Sequence, residues 1–142
     1  MYSPIELPSR VITFRPDLNV MVVRWHTQAA MAVVQADYAQ MLAAAEASGF
    51  TDWLLDVRRR EVITAELSAW VSQEFYPGAV VRLSPRRLRM AVLSSPALTE
   101  IYRTDPEQKK HVAYSTDPAR PYDIRLFADE GQAMSWLSPL LR

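Results

Sequence analysis

Two hydrophobic periods alternate along the chain. Val20 to Trp25 sets Met21, Val23 and Trp25 against Val22 and Arg24, a two-residue period that predicts a strand. Val11, Ile12 and Phe14 predict a shorter strand before it. Pro16-Asp17-Leu18-Asn19 lies between them and carries turn residues, so an antiparallel hairpin is expected. The period then lengthens. Met31, Val34, Tyr38, Met41, Leu42 and Ala45 share one helical stripe, with Thr27 as N-cap and Gly49 as left-handed stop. Trp53-Leu54-Leu55-Asp56-Val57 is a continuous apolar run, the pattern of a strand covered on both faces. Thr64 can cap a second helix with a stripe of Leu67, Trp70, Val71 and Phe75, ended by Pro77-Gly78. Residues 88–93 and 122–127 predict two further strands. Asp129 and Gln132 resemble a capping box ahead of a last helix that buries Ala133, Trp136 and Leu137. Residues 1–9 read as irregular. So does 95–121, which holds four prolines and room for one short helix at Leu98, Ile101 and Tyr102.

The predicted order is β-β-α-β-α-β-(α)-β-α. It implies an α/β fold, an N-terminal β-hairpin followed by βα repeats in a mixed, mainly parallel sheet with helices packed on it. The 142 residues make a single domain, 1–142, with a core at about 10–138. Composition then removes function classes. Sixteen basic and sixteen acidic residues leave no formal net charge, which argues against nucleic acid as a partner. No cysteine is present, so disulfides and thiolate chemistry are excluded. Three glycines cannot write a Walker loop or a dinucleotide fingerprint, and no cofactor is expected. The longest strongly apolar stretch, 29–34, has six residues, whereas a membrane span needs about 20. No signal-peptide core precedes it, and a cytoplasmic protein is expected. His26 and His111 lack ligand spacing, so no metal site is expected. No G-x-S-x-G elbow occurs, no catalytic residue is assigned, and the reading leans away from an enzyme.

Several runs add a resemblance. The hairpin ending in Val22-Val23-Arg24-Trp25, the run from Trp53 to Arg58, the helix with Trp70 and Glu74-Phe75, and the closing Phe127-Ala128-Asp129-Glu130 and Trp136-Leu137 occur in a characteristic order. In that order the chain resembles the STAS, or SpoIIAA-like, domain superfamily of anti-sigma-factor antagonists and uncharacterised bacterial relatives. The resemblance implies a non-enzymatic regulatory or protein-interaction module, or a small-ligand module. Separately, the sheet's edge strands or the long helix could pair with a second copy, so a protein partner or self-association as a homodimer is expected. In the sporulation-type antagonists a phosphorylatable Ser or Thr follows the Asp and an apolar residue after the central strand. Here Asp56-Val57 is followed by Arg58, so phospho-switching at that place is not implied.

The second reading is a binder of a small anionic or lipidic ligand, in a crevice at the carboxyl ends of the strands, where open α/β sheets take ligands. Its candidate ligand-binding residues are Asp56, Arg58, Arg59, Thr64 and Glu74. Asp56 ends the central strand. It either meets a ligand or pairs with an arginine of the following loop. Arg58-Arg59-Arg60 lead into the second helix, where guanidiniums and free N–H groups can hold a phosphate or carboxylate. Otherwise they are solvated, with Glu61 and Glu66 as ion-pair partners. Arg82, Arg86, Arg87 and Arg89 belong to the opposite end of the sheet. Glu74 projects at 100° per residue onto the apolar stripe, as a buried base or as a partner of Arg89.

Overall fold

Strand β2 (Arg10–Arg15) pairs antiparallel with β3 (Val20–Trp25) across the turn at 16–19. The hairpin is therefore where the alternation put it. Asn19 turns the corner at φ 56°, a left-handed conformation that asparagine tolerates and alanine does not. Asn19→Ala is expected to lower stability by about 1 kcal/mol, and Asn19→Gly to leave it near wild type, both read from urea denaturation midpoints. The structure, a computed structural model, describes residues 2–60 and 64–141. It adds a two-residue edge strand, β1 (Ile5–Glu6), in the stretch read as irregular.

Helix α1 (Met31–Ser48) begins four residues after Thr27. The physical reason is that strand pairing runs past Trp25. The His26 N–H donates to the Ser9 carbonyl at 3.0 Å, keeping the chain extended there. Thr27 Oγ1 donates to the Gln28 carbonyl instead of capping the helix. Gly49 closes the helix at φ 78°, its N–H on the Ala45 carbonyl. Strand β4 (Asp52–Asp56) follows. Helix α2 (Ala65–Trp70) is capped by Thr64 Oγ1 on the Leu67 N–H at 3.0 Å, as expected. It runs through a wide π-helical turn, Val71–Phe75, into α3 (Tyr76–Leu83). Strand β5 is Arg89–Leu93.

The segment 95–121 differs most from expectation. It forms two helices, α4 (Pro96–Thr104) and α5 (Pro106–Thr116). Each starts with proline in its first turn behind a capping side chain. Ser95 Oγ accepts from the Leu98 N–H, and Asp105 accepts from the Glu107 and Gln108 N–H groups. Proline lacks an N–H that this position would leave unpaired in any case. Strand β6 (Asp123–Phe127), helix α6 (Glu130–Leu137) and a 3₁₀ turn (Pro139–Leu141) complete the chain.

The sheet order is β1-β2-β3-β4-β5-β6, antiparallel through β3 and parallel from β3 to β6. The three helical crossovers step the same way, so right-handed connections put them on one face. There Val23, Trp53, Leu55 and Met90 pack beneath Tyr38, Met41 and Phe75. Helix α6 follows the last strand, carries no crossover, and covers Val22, Leu54, Ala91 and Leu93 on the other face. No helix among the described residues is long and apolar enough to cross a membrane.

Candidate ligand-binding site

The strands alternate faces, and this separates the arginines after β4. Asp56 points to the α6 face and Val57 to the face of the crossover helices. On the α6 face, Asp56 accepts from Arg24 Nη1 at 2.8 Å and from Arg58 Nε and Nη2 at 3.0 Å each. It also accepts from the Arg58 N–H at 3.1 Å. Arg24 reaches Glu130, at the start of α6, at 2.7 and 3.2 Å. Arg58 lies 3.5 Å from the same carboxylate. Two guanidiniums thus meet two carboxylates, and the cluster ties β3, β4 and α6 together.

Burial pushes the Asp56 carboxyl up, but the Arg58 side chain, its N–H and Arg24 together hold the pKa below the usual value. The Arg24 guanidinium lowers that of Glu130. A depressed carboxyl stabilises the fold above its unfolded pKa, and that contribution is lost as pH falls through the folded value. Glu130→Gln should therefore lower Tm at neutral pH. The difference from wild type should close as pH falls below about 4, the ordinary carboxylate range, in melts taken across pH.

The remaining sequence candidates do not converge on Asp56. Arg59 is exposed, and Thr64 is the α2 cap. Glu74 is exposed, not on the apolar stripe. The π-helical turn explains the correction. Its i→i+5 bonding adds a residue to the turn, so a 100° projection carried through 71–75 assigns Glu74 the wrong side. Arg89 is not its partner either. Arg89 sits on the α6 face, lies 3.6 Å from Asp52, and donates to the Trp136 and Leu137 carbonyls at 2.8 and 3.0 Å. Arg82 pairs with Glu46, Arg86 bonds the Gly49 carbonyl, and Arg87 grips Asp123 at 2.8 and 2.9 Å. These arginines lie at the amino ends of β4 and β5, away from Arg58, so the arginine runs make no single basic patch. Glu61 lies outside the described residues. Trp70 is only half-buried, stacked on Phe75.

On the other face the chain folds back over the sheet. The Val57 N–H extends the pairing to the Leu93 carbonyl, and the Arg60 N–H closes a turn onto the Val57 carbonyl at 3.0 Å. Three consecutive arginines therefore diverge: Arg58 to the carboxylates, Arg59 to solvent, Arg60 inward. Arg60 lines a cavity of about 90 Å³ near the carboxyl ends of the strands. Trp25, Leu55, Val92 and Leu126 line it from the sheet. Leu67, Val71 and Ser72 line it from α2 and the π-helical turn, and Tyr102, Gln108 and His111 from α4 and α5. A second cavity of about 170 Å³ lies beyond Trp25 and Arg60, which line both.

Arg60 is 8% exposed. Its Nη2 donates to the Tyr102 hydroxyl at 3.3 Å, and its Nε is buried with no hydrogen-bond partner among the described residues. No carboxylate ion-pairs with it among the described residues. The Trp25 indole N–H, in the same cavity walls, is also buried without a partner. Both unfilled groups are donors. A buried donor without an acceptor costs about 1–3 kcal/mol, and more when charged.

Arg10, next to this site, is fully buried yet satisfied. Its guanidinium lies 4.2 Å from the ring centres of both Trp25 and Tyr38. Its Nε donates to Ser9 Oγ at 3.2 Å and its Nη2 to the Val34 carbonyl at 3.4 Å. Ser9 passes the contact on, donating from N–H and Oγ to Asp37 at 2.8 and 2.5 Å. Two buried cations thus flank Trp25, with one buried carboxylate near them among the described residues. The sequence places Arg60 with Arg58 and Arg59 in one anion-holding run and gives no signal for Trp25, which it assigns to the core. No family model, curated protein or solved structure matches the chain.

Proposed function

We propose that this protein is a binding module for a small organic molecule, held between the sheet and the crossover helices at the carboxyl ends of the strands. The observation that carries this reading is the pair of buried, unfilled donors, Arg60 Nε and Trp25 Nε1, in the wall of one apolar cavity. The Arg60 guanidinium is kept out of water without an ion pair among the described residues, an arrangement that a bound acceptor would complete. The π-helical turn in the cavity wall supports it, since such turns recur at functional sites.

The SpoIIAA-like resemblance belongs to the same proposal. A hairpin leading into parallel βα units fits it, with Arg58 engaged by Asp56 where the antagonists carry a phosphate acceptor. The module would then pass ligand occupancy to a protein partner or a second copy. A fragment screen of neutral and charged small molecules, followed by ¹H–¹⁵N spectra, tests the binding reading. Hits are expected to shift the Trp25 indole and the Tyr102 and Leu126 amides together. A screen in which no fragment of either kind moves these signals would overturn it.

A further inference from the structure

We infer that the cavity's occupant is a small monocarboxylate with a short, branched apolar tail. The inference rests on the binding reading above and names its ligand class. Three observations point to it.

The first is the shape of the missing acceptor. Elsewhere in this fold, guanidiniums present their Nε and Nη2 groups as a fork to one carboxylate: Arg15 to Asp17, Arg58 to Asp56, Arg87 to Asp123, Arg103 to Glu100. A planar carboxylate matches that fork. In Arg60, among the described residues, Nη2 meets a phenol at 3.3 Å and Nε meets no acceptor.

The second is charge. Around Trp25, two buried cations, Arg10 and Arg60, stand with one buried carboxylate, Asp37, among the described residues, so one further negative charge would balance the group. A monoanion supplies it. A phosphate dianion would bring a surplus charge into a mainly apolar chamber.

The third is size and polarity. Leu55, Leu67, Val71, Val92 and Leu126 face the tail. A water occupies about 30 Å³ of liquid, and a 150 Å³ cavity takes benzene. Together with the 170 Å³ cavity that shares its Trp25, Arg60 and Leu67 walls, the 90 Å³ here makes room for a carboxylate of about four or five carbons.

Isovalerate, its neutral amide, inorganic phosphate and decanoate serve as probes, titrated into the full chain by calorimetry and ¹H–¹⁵N spectra. Isovalerate should bind saturably and move the Trp25 indole and the Tyr102 amide. The amide should bind at least about tenfold more weakly, the scale of a lost charge-assisted bond. Arg60→Met should cost isovalerate a similar factor, and Arg60→Lys should restore part of it. If Arg60→Met does not fold, the acid–amide comparison on wild type decides the role of the charge. Equal affinity for acid and amide, or undiminished isovalerate binding by folded Arg60→Met, would remove Arg60 as the anchor. Phosphate moving the same signals with higher affinity overturns the carboxylate, and tighter decanoate binding overturns the short tail. Neutral fragments that bind where no carboxylate does would overturn this inference and leave the binding reading standing. Silence from every fragment overturns both.

Discussion

Arg10→Ala is expected to lower the free energy of unfolding by about 3–5 kcal/mol, the range for breaking a buried charge pair from one side. Arg10 is fully buried, and its loss has three consequences at once. Trp25 and Tyr38 lose the guanidinium that lies 4.2 Å from each ring centre. Ser9 loses the donor that lets it mediate between Arg10 and Asp37. The Asp37 carboxylate, 3% exposed, is left without a nearby compensating cation on that side. Burial pulls the Arg10 pKa down, and Tyr38 and Asp37 act against it, which describes a cation held by its surroundings. Urea denaturation followed by tryptophan fluorescence measures the loss. A midpoint within experimental error of wild type would mean that the Arg10–Ser9–Asp37 relay carries no stability.

Arg60→Met should move stability the other way, leaving it unchanged or raising it by about 1–4 kcal/mol. Methionine fills the space of the arginine stem and adapts its shape to irregular walls. The substitution removes a buried cation, with no ion pair among the described residues to lose, and releases the unpartnered Nε. Among the described residues it gives up the 3.3 Å contact with Tyr102, the interaction with Tyr38 and a distant stacking on Trp25, 5.6 Å from ring centre to guanidinium. Two arginines against one indole are thus expected to respond with opposite signs. Natural sites that bind ligands often hold such unsatisfied groups at the expense of stability. A loss of several kcal/mol in Arg60→Met would make Arg60 a structural residue like Arg10.

Where the signal was local, the sequence described the fold well. The hairpin, the Gly49 stop, the Thr64 cap and the parallel βα succession all follow from periodicity and single capping residues. The two helices at 96–116 were also legible in principle. Ser95-Pro96 and Asp105-Pro106 each place a capping oxygen before proline in the first turn, and reading proline only as a breaker hid both. Glu74 was misplaced because no residue pattern announces the wide turn that shifts the helical phase. The site was missed for a different reason. Asp56, Arg58 and Arg60 are neighbours in sequence, yet the pleat and the turn at 57–60 send Asp56 and Arg58 to one face and Arg60 to the other. Arg58 pairs with its neighbour Asp56, but Arg24 and Glu130, which complete the cluster, lie 34 residues before and 72 after it in the chain. No local spacing carries that information.

On the proposed reading Arg60, which has no ion-pair partner among the described residues, is held for an incoming carboxylate, and one set of four denaturation curves decides it. Wild type and Arg60→Met are unfolded in urea, each with and without isovalerate at saturating concentration. Without ligand, the variant's midpoint should equal or exceed that of wild type. With isovalerate the wild-type midpoint should rise, because a ligand that binds only the folded state stabilises it. The variant's midpoint should not move. A variant that starts below wild type, together with midpoints indifferent to isovalerate in both proteins, would contradict the account.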